Sequence, residues 1–189
     1  MSKQSLRKEM MKRLNTLDPS YKNSESQILY EKFLEYIKIH NINSVGVVLS
    51  MPHELNTDPL ISMLLEAGVE VYNPICDYDE KTMEFHPFIS FDDLKADSKN
   101  IRVPEISNRA VQPELIIVPG LIFSHDGYRI GYGGGFYDRY LAGFNGNTVS
   151  LIFNEQIGET AREPHDIAVD VIITPTQTIA AEAGWKYDK

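Results

Sequence analysis

Residues 119–141 read PGLIFSHDGYRIGYGGGFYDRYL; they follow an apolar run that predicts a strand, and they end in a pattern that predicts a helix beginning at Phe136. Four of the chain's 12 glycines fall at positions 131, 133, 134 and 135. Consecutive glycines let several backbone N–H groups point into one concavity, and a helix N-terminus adds unpaired donors and partial positive charge. The stretch predicts a phosphate-binding cradle, although a glycine run by itself is equally compatible with a flexible turn.

Charged residues on both sides of the glycines favour the cradle. Arg129 precedes them, and Asp138 and Arg139 follow, so a cation for phosphate and a carboxylate for a metal stand close by. The pattern is not a P-loop, because no Gly-Lys-Ser/Thr follows. The spacing also differs from the Gly-x-Gly-x-x-Gly dinucleotide pattern, and about ten residues between the strand and Gly131 are too many for that tight turn.

Length and composition predict a single domain over residues 1–189. The sequence contains 18 Lys and Arg but 27 Asp and Glu. The resulting net charge of −9 argues against nucleic acid or an anionic membrane as partner. The sequence begins with a charged helical pattern that has no apolar signal core, so we expect a cytoplasmic protein. We also expect a monomer. Cys76 has no second cysteine to pair with, and we interpret it as a small core residue.

Strand and helix patterns alternate along most of the chain. Helices are predicted at about 2–17, 21–40 and 58–68, and strands at 44–51, 69–74, 115–118, 147–153 and 169–174, with a short strand at 83–87. This order predicts an α/β fold with an open, mostly parallel sheet and helices on both faces, a Rossmann-like three-layer arrangement. Residues 77–111 carry a weak signal, and no role is assigned to them. Trp185 and Tyr187 are predicted to cover the core.

Three further features are candidates for function, each beside a plainer interpretation. Ligands in parallel sheets bind at the carboxyl ends of strands, which puts Glu54 in the right region, although an exposed loop carboxylate is as compatible with the pattern. Lys3 and Arg7, four apart on one basic helix face, reach toward a phosphate or simply form a solvated face. Asp170 is either an exposed residue at a strand start or a partner for a metal or a ribose.

The glycine stretch closely resembles the signature of the 5-formyltetrahydrofolate cyclo-ligase (5,10-methenyltetrahydrofolate synthetase) family. The resemblance rests on Pro119-Gly120-Leu121, Phe123, Gly127, Arg129, Gly131 and the run from Gly133 to Leu141. Two segments support it, Lys3-Gln-Ser-Leu-Arg7 and Leu49-Ser-Met-Pro-His-Glu54-Leu-Asn-Thr57. It spans nearly the whole chain and implies an open α/β sheet.

The resemblance implies an enzyme that converts 5-formyltetrahydrofolate to 5,10-methenyltetrahydrofolate with ATP and Mg²⁺, releasing ADP and phosphate. The implied ATP-binding residues are Lys3, Gln4, Ser5, Leu6, Arg7, Arg129, Ile130, Gly131, Tyr132, Gly133, Gly134, Gly135, Phe136 and Tyr137. The implied folate-binding residues are Leu49, Glu54, Tyr132, Gly133, Gly134, Gly135 and Phe136. Arg129 and Tyr137 are the implied catalytic residues, and Asp138 and Asp170 the implied magnesium carboxylates.

The residue types suit phosphoryl transfer, which needs positioning and charge neutralisation more than a protein nucleophile. Two other functions stay open from the sequence. A sugar-phosphate isomerase on a similar sheet would use the cradle for a substrate phosphate, without ATP, and would need a base nearby. A non-catalytic nucleotide-binding protein would bind ATP without turning over a folate.

Overall fold

A seven-stranded sheet organises the part of the chain that the structure, a computed structural model, describes: residues 1–107 and 109–180. The helices of these residues are α1 (Lys3–Asn15), α2 (Pro19–Ile39), α3 (Asp58–Glu66) and α4 (Phe136–Ala142). The strands are β1 (Ser44–Gly46), β2 (Glu70–Asp77), β3 (Thr82–Pro87), β4 (Lys95–Ala96), β5 (Arg102–Val103), β6 (Leu115–Ile117), β7 (Ile122–Phe123), β8 (Arg129–Ile130), β9 (Asn147–Leu151), β10 (Val171–Ile173) and β11 (Thr178–Ala180). The predicted cover by Trp185 and Tyr187 lies outside the described residues.

The main sheet has the strand order β11-β10-β9-β6-β1-β2-β3. The five central strands are parallel to one another, and the two edge strands, β3 and β11, run antiparallel to them. The helix α3 connects the parallel strands β1 and β2, and α4 lies in the connection from β6 to β9. The carboxyl ends of the central strands therefore meet at one edge of the sheet.

Side chains alternate between two buried clusters because both faces of the sheet are covered. Leu115 and Ile117 of β6 point into the first cluster with residues of α1, α2 and α3, whereas Ile116 and Val118 point into the second, where Leu141 of α4 packs. Both faces are buried, so the strands are near-continuous apolar runs. The predicted mostly parallel sheet with helices on both faces is confirmed.

The first strand is shorter than predicted, because a side chain takes over part of its backbone hydrogen bonding. The run predicted as a strand over 44–51 pairs regularly only at Ser44–Gly46. Beyond it, Val47 N still donates to Tyr72 O at 2.8 Å, but the Val47 carbonyl accepts from the Asn73 side-chain amide at 2.9 Å. Beyond this point, Val48, Leu49 and Met51 line a cavity at the carboxyl edge of the sheet.

The residues between β6 and the first cradle glycine form a hairpin. Ile122 and Phe123 of β7 pair antiparallel with Ile130 and Arg129 of β8. The glycines thus leave a small two-stranded ribbon instead of the main sheet, which explains why the spacing is longer than in a dinucleotide-binding turn. None of the described helices is long and apolar enough to cross a membrane.

Candidate active site

One cavity of about 660 Å³ opens at the carboxyl edge of the sheet. Leu49 beyond β1 and Pro119 beyond β6 form part of its floor, and the whole stretch from Arg129 to Asp138 lines it. Ligand pockets are typically about 300–1,000 Å³, and parallel sheets bind their ligands at this edge. The cavity is therefore the candidate site.

The glycine loop forms one wall of the cavity. Gly133 and Gly135 have φ of +99° and +71°, a region that residues with a Cβ rarely adopt, and α4 begins directly after Gly135. Arg7 donates from Nε to the Gly131 carbonyl at 2.8 Å, and its guanidinium lies against Gly133. A basic side chain of α1 and the glycine backbone thus face the same space, as a bound phosphate would require.

Arg129 lies beneath the loop with its side chain only 5% exposed. Its Nη1 is 3.3 Å from Asp138 Oδ1 and also donates to the Ile167 carbonyl, while its Nε donates to the Pro119 carbonyl. Burial lowers the pKa of Arg129, and Asp138 opposes that shift. The guanidinium keeps its charge, because its ordinary pKa is far above neutrality.

A group of charged residues closes the cavity on the α1 side. Lys3 Nζ is 2.9 Å from Glu163 Oε1 and 3.9 Å from Asp166 Oδ2. Ile167 N donates to Asp138 Oδ1 at 3.1 Å, so the segment that carries Asp166 is held against Asp138. Three carboxylates, those of Asp138, Glu163 and Asp166, therefore share this wall with Lys3.

The opposite part of the cavity contains Glu54, whose side chain is 12% exposed. Glu54 Oε1 accepts from the Tyr132 hydroxyl at 2.8 Å. Burial raises the pKa of Glu54, and the hydrogen bond from Tyr132 opposes that rise. The loop that carries Glu54 is closed by reciprocal bonds between Ser50 and Thr57, at 3.0 and 3.2 Å. The sequence was equally compatible with a solvent-exposed Glu54, but in the structure this carboxylate is mostly buried and hydrogen-bonded.

The segment from 77 to 111, to which no role was assigned, supplies a wall of the cavity. Its lining residues are Tyr78, Met83, Asp97, Lys99, Ile101, Arg102 and Val103. Arg102 forms a two-pronged ion pair with Asp58 of α3, at 2.9 and 3.0 Å, and so ties the β4–β5 hairpin to that helix. Strands of two residues leave almost no periodic pattern, which is why the sequence did not reveal this wall.

Tyr137 contributes a buried hydroxyl to the cavity. Among the described residues this oxygen has no hydrogen-bond partner. An unsatisfied buried hydroxyl costs about 1–3 kcal/mol, so a ligand group is a fitting partner for it.

Most of the predicted site residues line the cavity. They are Lys3, Arg7, Leu49, Glu54, Arg129, Ile130, Gly131, Tyr132, Gly133, Gly134, Gly135, Phe136, Tyr137 and Asp138. The others, Gln4, Ser5, Leu6 and Asp170, are not among its lining residues. Asp170 is 8% exposed and accepts from both the backbone N–H and the hydroxyl of Thr148.

Sequence reasoning missed part of this lining. Glu163, His165 and Asp166 line the cavity, and the only signal for them was an acidic cluster just before Asp170. Cys76 was expected in the core and is partly buried against it, but it also lines the cavity. Burial raises the pKa of its thiol to about 11, which keeps the thiol protonated at neutral pH.

The fold and the cavity together define an α/β protein whose single cavity combines a glycine loop and basic side chains, which suit an anionic ligand, with the buried carboxylate of Glu54. A family model described as the 5-formyltetrahydrofolate cyclo-ligase family matches residues 1–175, and the chain belongs to that family. The family carries out the ATP-dependent conversion of 5-formyltetrahydrofolate to 5,10-methenyltetrahydrofolate. The chain is therefore an enzyme, which argues against the alternative of a non-catalytic nucleotide-binding protein.

Individual relatives agree with the family match. The 5-formyltetrahydrofolate cyclo-ligase of Mus musculus is 28% identical over 188 residues, covering 91% of this chain and 93% of the mouse protein. That of Escherichia coli K12 is 29% identical over 174 residues, covering 87% of this chain and 96% of the bacterial protein.

Two solved structures share the fold. The NMR structure of Aquifex aeolicus 5,10-methenyltetrahydrofolate synthetase has a TM-score of 0.83 at 24% identity, covering 97% of this chain and 95% of that one. The Mycoplasma pneumoniae 5,10-methenyltetrahydrofolate synthetase has a TM-score of 0.74 at 20% identity, covering 93% and 99%. The likeness extends over essentially the whole sheet.

Proposed function

We propose that this chain binds ATP and 5-formyltetrahydrofolate together in the 660 Å³ cavity and transfers the γ-phosphoryl group to the formyl oxygen. The observation that carries the proposal is that the glycine loop, with Arg7 and Arg129, shares one cavity with the fixed carboxylate of Glu54. One part suits a polyphosphate and the other a ring with N–H donors. The reaction requires both substrates within reach of each other.

The ATP phosphates are proposed to lie along the glycine loop. Arg7 is held against the loop, and Lys3 stands nearby. These local cations offset the net charge of −9, which would otherwise disfavour a polyanion. Arg129, buried and braced by two carbonyls, would stabilise charge on the transferred group without having to move. Gln4, Ser5 and Leu6 stay predicted ATP contacts.

Magnesium is proposed to bind beside Asp138 and Asp166. Carboxylate oxygens are the ligands that Mg²⁺ prefers, and the ion usually takes only one or two of them together with substrate phosphates. Among the described residues no cluster of three or more Asp, Glu, His or Cys could hold a metal ion alone, which fits a site completed by ATP. Bound there, Mg²⁺ would neutralise phosphate charge. Asp170, also predicted as a ligand, bonds to Thr148 instead of facing the cavity.

The pterin is proposed to pair with Glu54, because a carboxylate accepts from two neighbouring N–H groups. Leu49, Ile101 and Val103 offer apolar surface beside it for the flat rings. The glycine loop and Phe136 would bring the formyl group next to the phosphates. In this arrangement the folate lies between the glycine loop and the β4–β5 hairpin.

Two steps complete the proposed reaction. The formyl oxygen attacks the γ-phosphorus and ADP departs, which leaves an iminophosphate. The N10 lone pair then attacks the formyl carbon, the C–O bond breaks, phosphate leaves with that oxygen, and N10 gives up its proton. The unpartnered Tyr137 hydroxyl is well placed to donate to an oxygen of the transferred group. No protein nucleophile is required.

Absorbance on mixing the protein with 5-formyltetrahydrofolate, ATP and Mg²⁺ tests the proposal. Ring closure creates a conjugated methenyl cation with its own near-ultraviolet band. We expect this band to grow only when all three components are present. ATP binding without the band would contradict the folate assignment, and growth of the band without ATP would contradict the proposed phosphoryl transfer.

Cell location and assembly belong to the same proposal. We expect a monomer in the cytoplasm, supported by the one free cysteine and by a cavity that the described part of a single chain encloses. Sedimentation of the purified protein tests the monomer.

A further inference from the structure

Three side chains from two loops form a hydrogen-bonded chain in the cavity. His53 Nε2 lies 2.7 Å from the Tyr132 hydroxyl oxygen, and that hydroxyl donates to Glu54 Oε1 at 2.8 Å. The direct distance from His53 Nε2 to Glu54 Oε1 is longer, at 3.9 Å. Tyr132 therefore bridges two neighbours in sequence whose side chains do not bond directly to each other.

The hydrogens available on the three side chains determine which group donates in each of these hydrogen bonds. A tyrosine hydroxyl has one hydrogen, and an ionised carboxylate can only accept. Since Tyr132 donates its hydrogen to Glu54, its oxygen must accept from an N–H on His53 Nε2. Burial, aided by the charge of Lys22, lowers the pKa of His53, which favours the neutral imidazole. The chain runs from His53 to Tyr132 to Glu54.

His53, the first donor in this series of hydrogen bonds, is held in place by several contacts. His53 is 4% exposed, and its backbone carbonyl accepts from Lys22 Nζ at 3.0 Å. Lys22 also donates to the Pro52 carbonyl, which joins this loop to α2. The His53 and Tyr132 rings pack at a centroid distance of 5.6 Å. The donor that orients the Tyr132 hydroxyl is thus held by its surroundings.

We infer that Tyr132 and His53 are positioning residues that orient the Glu54 carboxylate for the pterin and so set how well the enzyme selects that ring; this rests on the proposed function. Apart from Tyr132, the only described hydrogen bond to the Glu54 carboxylate comes from Met51 N, at a long 3.4 Å. Without Tyr132 the carboxylate would lose its main restraint. A pairing with two adjacent N–H groups depends on that orientation.

Tyr132→Phe tests the inference because it keeps the ring and removes only the hydroxyl. We expect the KM for 5-formyltetrahydrofolate to rise about 5–20-fold while the KM for ATP stays within twofold; Tm should fall by several degrees at most, because the buried His53 Nε2 loses its partner. An analogue lacking the pterin 2-amino group should be discriminated against less by the variant than by the wild type. In a Glu54→Gln background the same change should add little, since the group being positioned is already altered.

His53 supplies the second arm of the test. His53→Ala should resemble Tyr132→Phe, whereas His53→Gln, whose amide N–H can stand in for Nε2–H, should restore part of the folate affinity. An equal rise in both KM values, or an unchanged folate KM in active Tyr132→Phe, would overturn the inference. A wild type inactive with folate and ATP would instead count against the proposed function, before any variant is compared.

Discussion

At the scale of single residues, all the predicted glycine-loop residues line the cavity, whereas of the two predicted magnesium carboxylates only Asp138 does. Glycine, Arg129 and Asp138 form one continuous stretch, and the structure keeps that stretch on one wall. Which later carboxylate lies near Asp138 depends on the path of the long connection between β9 and β10. Asp170 directly precedes β10, so it stands at the amino end of a parallel strand, away from the edge where ligands bind. Asp166, four residues earlier, lines the cavity.

Asparagine substitutions at these two positions should separate metal binding from stability. We expect Asp166→Asn to raise the Mg²⁺ concentration needed for half-maximal activity about tenfold or more, with a near-normal Tm. Asp170→Asn should keep the Mg²⁺ requirement and lower stability by about 1–3 kcal/mol, because it weakens buried bonds to Thr148. Magnesium titrations and urea unfolding of both variants check this. The reverse pattern would support Asp170 as the ligand.

At the scale of elements, the helices and the buried strands were predictable because their apolar positions repeat over many residues. α2 shows this well, with Leu29, Phe33 and Ile37 recurring every four residues and buried. β4 and β5 have two residues each and are partly exposed, so no periodicity marks them. Their position comes from tertiary contacts, above all the pair of Arg102 with Asp58. Such contacts between distant residues are invisible to local patterns.

Releasing the β4–β5 hairpin should weaken folate binding more than ATP binding. Asp58→Asn and Arg102→Ala both break the tie to α3, and we expect each to raise the folate KM about 2–5-fold with the ATP KM unchanged. The effect is small because the pair is about one-third exposed, where ion pairs contribute less than about 1 kcal/mol. Lys95→Ala is the matched control, since it breaks a hairpin ion pair that is about two-thirds exposed and away from the cavity. Equal effects of all three would argue against a role for the tie.

At the scale of the whole molecule, the net negative charge and the cations of the cavity act in opposite directions on an anionic ligand such as ATP. A net charge of −9 disfavours the approach of polyanions in general, so we expect affinity for ATP to come from Lys3, Arg7, Arg129 and the loop amides at short range. The charge balance was predictable from composition. The gathering of these cations in one cavity was predicted only through the resemblance to the family, because Arg7 and Gly131 are over 120 residues apart and no local pattern connects them.

Ligand-induced stabilisation should reveal whether the two substrates share the cavity. A ligand at 100 times its Kd stabilises the folded state by about 2.7 kcal/mol, which for a chain of this size is roughly 5–11 °C in Tm. We expect a non-hydrolysable ATP analogue with Mg²⁺, and 5-formyltetrahydrofolate, each to produce such a rise at that ratio. Together they should give about the sum of the two, because each occupied subsite stabilises the folded state. Scanning calorimetry measures all three states. A combined rise no larger than the greater single one would mean that the ligands compete for one subsite, since two occupied subsites must both contribute.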